Sequence, residues 1–162
     1  MRCFLFMKRV INVCLCILYI LFLITILFLY GRGGVWTNLS LKKYILSTSN
    51  IIPCKTIAGY FLAIKNGTMN ADIPIKNIIG NIVLFMPYAY FAFCYTRMST
   101  KKFLLTTLLI LIVLEIVQML LRVGTFDVDD ILLNIMGAMM VYVCIQNVTK
   151  TKESKKKIGF AS

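Results

Sequence analysis

Residues 103–121 read FLLTTLLILIVLEIVQMLL. As an α-helix this run is about 28 Å long, close to the hydrocarbon thickness of a bilayer. It contains one charged residue, Glu115. The run therefore predicts a transmembrane helix, and it sets the class of the whole chain. Three further apolar runs lie at Val10–Tyr30, Ile78–Tyr95 and Ile131–Gln146. The first resembles the start of a secretory signal. However, it is longer than the usual apolar region of a signal and ends in Tyr30-Gly-Arg-Gly-Gly, so a retained helix is expected.

Composition supports that class. The chain has 162 residues, of which 60% are hydrophobic. That is above the roughly 45–50% of soluble domains. Mean hydropathy is +0.86. The expected fold is all-α: a polytopic membrane helical bundle of four transmembrane helices plus a short interfacial or re-entrant helix. The expected spans cover residues 10–30, 77–96, 103–121 and 131–147 of a membrane domain at 1–149. IIPCKTIAGYFLAI at 51–64 is too short to cross a bilayer and reads as the interfacial helix, beginning near Pro53. The rest of 31–76 reads as polar and irregular. Pro87 should kink the second span. Residues 150–162 read as a basic cytoplasmic tail without regular structure.

The net charge is +12. Lys and Arg lie between apolar runs and at the C-terminal end, which points to topology and anionic lipid rather than to nucleic acid. The larger basic set flanks the termini and the Arg97–Lys102 turn. The positive-inside rule then puts both termini on the cytoplasmic side of a multi-pass membrane protein. The six cysteines include no CxxC pair, so no disulfide framework or zinc spacing is visible. There is no histidine, which excludes imidazole bases and His-dependent triads.

Four of the six acidic residues, Glu115, Asp127, Asp129 and Asp130, fall in EIVQMLLRVGTFDVDDILLN at 115–134. A carboxylate in or beside a span is costly, so it marks function more often than decoration. Asn77 and Asn81 are spaced i, i+4. Glu115, Gln118 and Arg122 are spaced i, i+3, i+7, as are Asp127, Asp130 and Asn134. In the expected topology these three stripes share one depth near the outer face, and lipid would turn each of them inward. Gly80 and Gly137-Ala138 would let the helices approach closely. Glu115 lies about 10 Å of helix rise below Arg122, which makes it the deepest carboxylate and the candidate acid or base. Asn77, Asn81, Gln118, Asp127, Asp129, Asp130 and Asn134 are the candidate binding residues. Asp127, Asp129 and Asp130 are oxygen donors of a type that suits a divalent cation, but D-x-D-D is equally a helix-capping pattern, and no cofactor is required. A structural polar network is the competing reading of all three stripes.

Taken in order, these motifs resemble the VanZ-like family of small bacterial membrane proteins. NIIGNIVLFMPYAY at 77–90 is similar to its N-x-x-x-N…F-x-P element, and LEIVQ at 114–118 to its E-x-x-Q. GTFDVDDILLNIMG at 124–137 is similar to its F-D-x-D-D-x-x-x-N-x-x-G, and NIIPCKTI at 50–57 to its N-x-I-P-x-x-T-I. The resemblance makes Asn77, Asn81, Glu115, Gln118, Asp127, Asp130 and Asn134 signature positions. Ala89 stands where the family often has Gly, and Arg122 lies farther from the aspartates than the Arg of many relatives. The resemblance implies an association with resistance to teicoplanin-type lipoglycopeptides. Membrane lipids or a lipid-linked cell-wall component would be the partners. The alternatives are a membrane enzyme acting on a phosphate-bearing lipid head group, or a non-catalytic scaffold or transporter. No internal repeat marks an ordinary transporter, and no Gly-rich phosphate loop, Ser-Lys dyad or HExxH marks a familiar enzyme.

The topology can be tested with a cysteine-free variant carrying Thr125→Cys. An impermeant thiol reagent should label it in intact cells. Labelling only after the cells are opened would reverse the orientation.

Overall fold

The computed structural model describes residues 2–29 and 39–159, with side chains over 7–29 and 39–154. Among these residues, four helical segments are long and apolar enough to cross a membrane: Met7–Leu29, Asp72–Thr96, Thr100–Leu120 and Val128–Ser154. The chain is therefore a multi-pass, all-helical membrane protein. It divides into two compact units, Met1–Ser49 with Glu115–Phe126, and Asn50–Leu114 with Asp127–Ser162.

In the first unit, α1 spans Arg2–Ile24 and continues into a π-helical turn at Thr25–Leu29. Widening to i→i+5 bonding takes carbonyls off the α-helical ladder. Here Leu27 O accepts from Gln118 Nε2 at 2.8 Å, and Thr25 Oγ1 donates to Leu21 O at 2.9 Å. A short helix, α2, occupies Leu41–Thr48 in the stretch read from sequence as irregular. Ser40 caps it, accepting from the Lys43 N–H. Tyr44 of α2 is buried, and its hydroxyl donates to Gly124 O at 2.6 Å.

The second unit holds the remaining helices. These are α3 (Lys55–Lys65), α4 (Asp72–Leu84), α5 (Met86–Thr96), the first part of α6 (Thr100–Leu120) and α7 (Val128–Gly159). The second span is broken rather than merely kinked: α4 and α5 meet at Phe85, two residues before Pro87. Proline has no N–H to continue the ladder, and its ring crowds the carbonyl four residues back, here that of Val83. The bonding resumes with Ala89 N–H donating to Phe85 O at 3.3 Å.

Packing centres on α7, which lies against both α4 and α5. Gly137 makes the α4 approach possible. A Cβ at this position would fall 1.8 Å from Ile82 O, so the two backbones touch where no side chain fits. Gly80, read from sequence as a second contact residue, is exposed with nothing within 4 Å of its Cβ position. Farther along, Phe103 of α6 stacks on Tyr142 of α7 at 3.8 Å between ring centroids. Phe93 of α5 meets Tyr142 edge-on at 5.5 Å. The Tyr142 hydroxyl reaches Met98 O at the α5–α6 turn, which satisfies the polar end of an otherwise buried ring.

On α6, Phe103, Thr107, Leu111 and Glu115 form a buried stripe at i, i+4 spacing. Leu105, Leu109, Val113 and Leu120 are exposed, as expected of a face meeting lipid. The final helix does not stop near Gln146, and the expected irregular tail is helical as far as Gly159. Lys, Glu, Ser and Thr carry only small helix penalties, and extending a formed helix needs no new nucleus. Residues 160–162 lie outside the described part.

Gly137→Ala should lower the thermal unfolding midpoint in detergent by the equivalent of about 1–3 kcal/mol, because the added methyl overpacks the α4–α7 contact. Gly80→Ala should leave the midpoint unchanged or raise it. Equal melting of the two variants would show that Gly137 is not a contact residue.

Candidate functional site

Two clusters of polar residues in the second unit are built on the start of α7. The first is a double cap. Asp127 is the N-cap of α7, and its Oδ1 accepts from the Asp129 N–H at 2.9 Å. The same carboxylate accepts from Asn50 Nδ2 at 3.1 Å and from Thr56 Oγ1 at 2.6 Å. Asn50 O takes the Val128 N–H at 3.0 Å, so the two chain segments meet through backbone as well.

Asp129 caps a different helix. Its carboxylate accepts the backbone N–H groups of Cys54, Thr56 (2.8 Å) and Ile57 (3.1 Å) at the start of α3. Cys54 has a left-handed backbone (φ 64°) immediately before α3. Asp129 is only 1% exposed, so the orphan donors and positive end of α3 are satisfied from within the protein. The interfacial helix is thus fastened by an aspartate more than 70 positions away in sequence.

The second cluster joins α4 to α7. Asn81 Nδ2 donates to Asp130 Oδ1 at 2.6 Å and to Asn77 Oδ1 at 2.9 Å. Asn134 Nδ2 donates to Asp130 O at 2.7 Å and, at 3.4 Å, to Asn81 Oδ1. Asn77, Asn81 and Asp130 are half-buried, while Asn134 is 4% exposed. The Oδ1 atom of Asn134 is the one buried side-chain oxygen or nitrogen among the described residues with no hydrogen-bond partner.

Sequence reading placed Asn77, Asn81, Asp127, Asp130 and Asn134 on inward-facing stripes at one depth, together with Glu115 and Gln118, and counted Asp129 among the binding residues. The structure brings Asn77, Asn81, Asp130 and Asn134 together. It assigns Asp127 and Asp129 to capping, alongside Asn50 and Thr56, which were not among the candidates. The only sequence signal for these last two is their place in the N-x-I-P-x-x-T-I element. Gln118 belongs to the first unit, where it ties α6 to the π turn. Arg122 follows the end of α6 with φ 58°, its guanidinium 5.8 Å from the centre of the Tyr44 ring. Glu115 also belongs to the first unit and is 8% exposed, buried on its helix. Among the described residues, no group of three or more His, Cys, Asp or Glu side chains is arranged to hold a metal ion. Asp127, Asp129 and Asp130 each bond to different groups: Thr56 Oγ1, the α3 backbone and Asn81.

The VanZ/LLP1 family pattern matches residues 16–149, most of the chain. The chain belongs to the VanZ/LLP1 family. No curated protein and no solved structure matches it. It is therefore a VanZ-like membrane protein of a family associated with antibiotic resistance. In this VanZ-like chain the F-D-x-D-D element divides by position: its first two aspartates start α7 and α3, and its third meets α4.

Asp129→Ala should leave three N–H groups at the start of α3 without an acceptor, at about 1–3 kcal/mol for each donor that stays buried. The expected result is a lower unfolding midpoint and faster proteolysis near residues 50–65 in detergent. Wild-type protease resistance would show that this cap does not hold α3.

Proposed function

We propose that this chain lowers bacterial susceptibility to teicoplanin-type lipoglycopeptides. On this reading it acts in the cytoplasmic membrane, with both termini in the cytoplasm. A polar pocket facing outward engages a membrane lipid or a lipid-linked wall component. The observation that carries the reading is the α4–α7 cluster. Asp130, Asn81 and Asn77 are half-buried rather than sealed, and they sit on two apolar spans where such groups are costly unless used. Asp127 and Asp129 support the site by fixing the start of α7 and do not contact the ligand.

A second reading has a specific observation behind it. Glu115 continues a stripe of Phe103, Thr107 and Leu111, and a buried carboxylate on such a stripe is suited to exchanging a proton. In this reading the protein is a membrane enzyme acting on a phosphate-bearing lipid head group, with Glu115 as acid or base.

One experiment addresses both readings. Teicoplanin susceptibility and lipid-linked precursor profiles are measured in cells with the wild-type chain, Asp130→Asn or Glu115→Gln, at matched membrane abundance. The binding reading predicts that Asp130→Asn removes protection while every precursor profile stays unchanged. The enzyme reading predicts a wild-type change in the profile that Glu115→Gln abolishes. Full protection by Asp130→Asn would remove the α4–α7 cluster from the function.

A further inference from the structure

The short helix α3 has two unlike faces. Thr56, Ile57, Tyr60 and Ala63, at i, i+1, i+4 and i+7, are half-buried, on a helix that packs against α4 and α7. Ala58, Phe61, Leu62 and Lys65, at i, i+3, i+4 and i+7, are exposed, with exposed Lys55 about one turn before Ala58. Phe61 is 67% and Leu62 59% exposed. Ile51 and Ile52, just before the helix, are exposed as well. The outward face is therefore apolar in the middle, with an ammonium group at each end.

No uniform medium suits that face. Water would surround Phe61 and Leu62, and hydrocarbon would surround Lys55 and Lys65. Eleven residues rise only about 16 Å, too little to cross a bilayer. The boundary between head groups and acyl chains accepts both kinds of side chain, because lysine stems can run along apolar surface and end at the phosphates. The attachment of α3 sets the same depth. The Asp129 carboxylate accepts the N–H groups of Cys54, Thr56 and Ile57, and Asp129 stands at the very start of the spanning segment Val128–Ser154.

Charge selects the lipid. Residues 50–71 contain Lys55 and Lys65 and no acidic residue. Among the described residues neither lysine pairs with a carboxylate. Lysines held at a membrane surface attract anionic head groups. A second copy of the same face would set lysine against lysine. We infer that the outward face of α3 is a docking surface for anionic phospholipid, with Phe61 and Leu62 among the acyl chains and Lys55 and Lys65 on the head-group phosphates. It uses no residue of the α4–α7 cluster and does not depend on the resistance reading.

The test places the full-length chain in nanodiscs of phosphatidylcholine and phosphatidylglycerol. The chain's one tryptophan, Trp36, is replaced by Phe, and Phe61→Trp supplies a reporter indole. Lipid spin-labelled near the head group should quench the indole, and acrylamide in the water should not. Labelled phosphatidylglycerol should quench at lower content than labelled phosphatidylcholine, by about five-fold for each lysine. Lys55→Gln combined with Lys65→Gln should remove that preference. Lys76→Gln, on α4 and paired with Asp72, should keep it. Leu62→Trp repeats the measurement on the same face if the first reporter does not fold. An indole open to acrylamide, or shielded by a protein partner from acrylamide and lipid alike, would overturn the assignment. So would equal quenching by the two lipids, or a preference kept by the double lysine variant.

Discussion

Polar groups within the apolar spans of this chain depend on partners in the protein, because lipid offers none. That constraint organises the second unit. The start of α7 carries three aspartates within four residues, and each is satisfied in a different direction. Asp127 closes its own helix, Asp129 closes α3, and Asp130 reaches α4. The short helix α3 buries none of its own residues fully, so hydrogen bonds from α7 hold it where apolar packing would not. Gly137 complements this arrangement about two turns farther on, by letting the α7 backbone touch that of α4. The polar joint and the close contact bring together the same pair of helices.

Asp127 and Asp129 differ from Asp130 in burial and in the helix ends that they cap. Asp127 and Asp129 are buried and bonded to backbone or to fixed side chains, and replacing either one costs stability first. Asp130 is half-buried and bonded to an amide whose neighbours are also amides. Such a network can accept a guest without breaking a helix cap. In the proposed function the ligand meets the α4–α7 face rather than the aspartate run as a whole.

Much of this was legible in the sequence, for identifiable reasons. Span positions follow from apolar run length, and the i, i+4 spacing of Asn77 and Asn81 places both on the face that meets Asp130. The division of the D-x-D-D run was not legible. The donors that claim Asp129 are backbone N–H groups of Cys54, Thr56 and Ile57, and backbone donors leave no mark in a sequence. Pro87 signalled a bend, and the structure shows a break at Phe85 with α4 and α5 each packed against α7. The helix α2 was hidden because its one buried anchor, Tyr44, bonds to a carbonyl 80 positions away. The continuation of α7 to Gly159 was missed because a basic composition suits a solvated helix as well as a solvated coil.

The bond between Asn81 and Asp130 is the central claim, since it joins two spans and defines the candidate site. A double-mutant cycle measures it directly. Unfolding free energies of the wild type, Asn81→Ala, Asp130→Ala and the double variant are compared in one detergent. A coupling of at least about 0.5 kcal/mol is expected for a hydrogen bond between membrane helices. Additive losses, with no coupling between the two positions, would contradict the account.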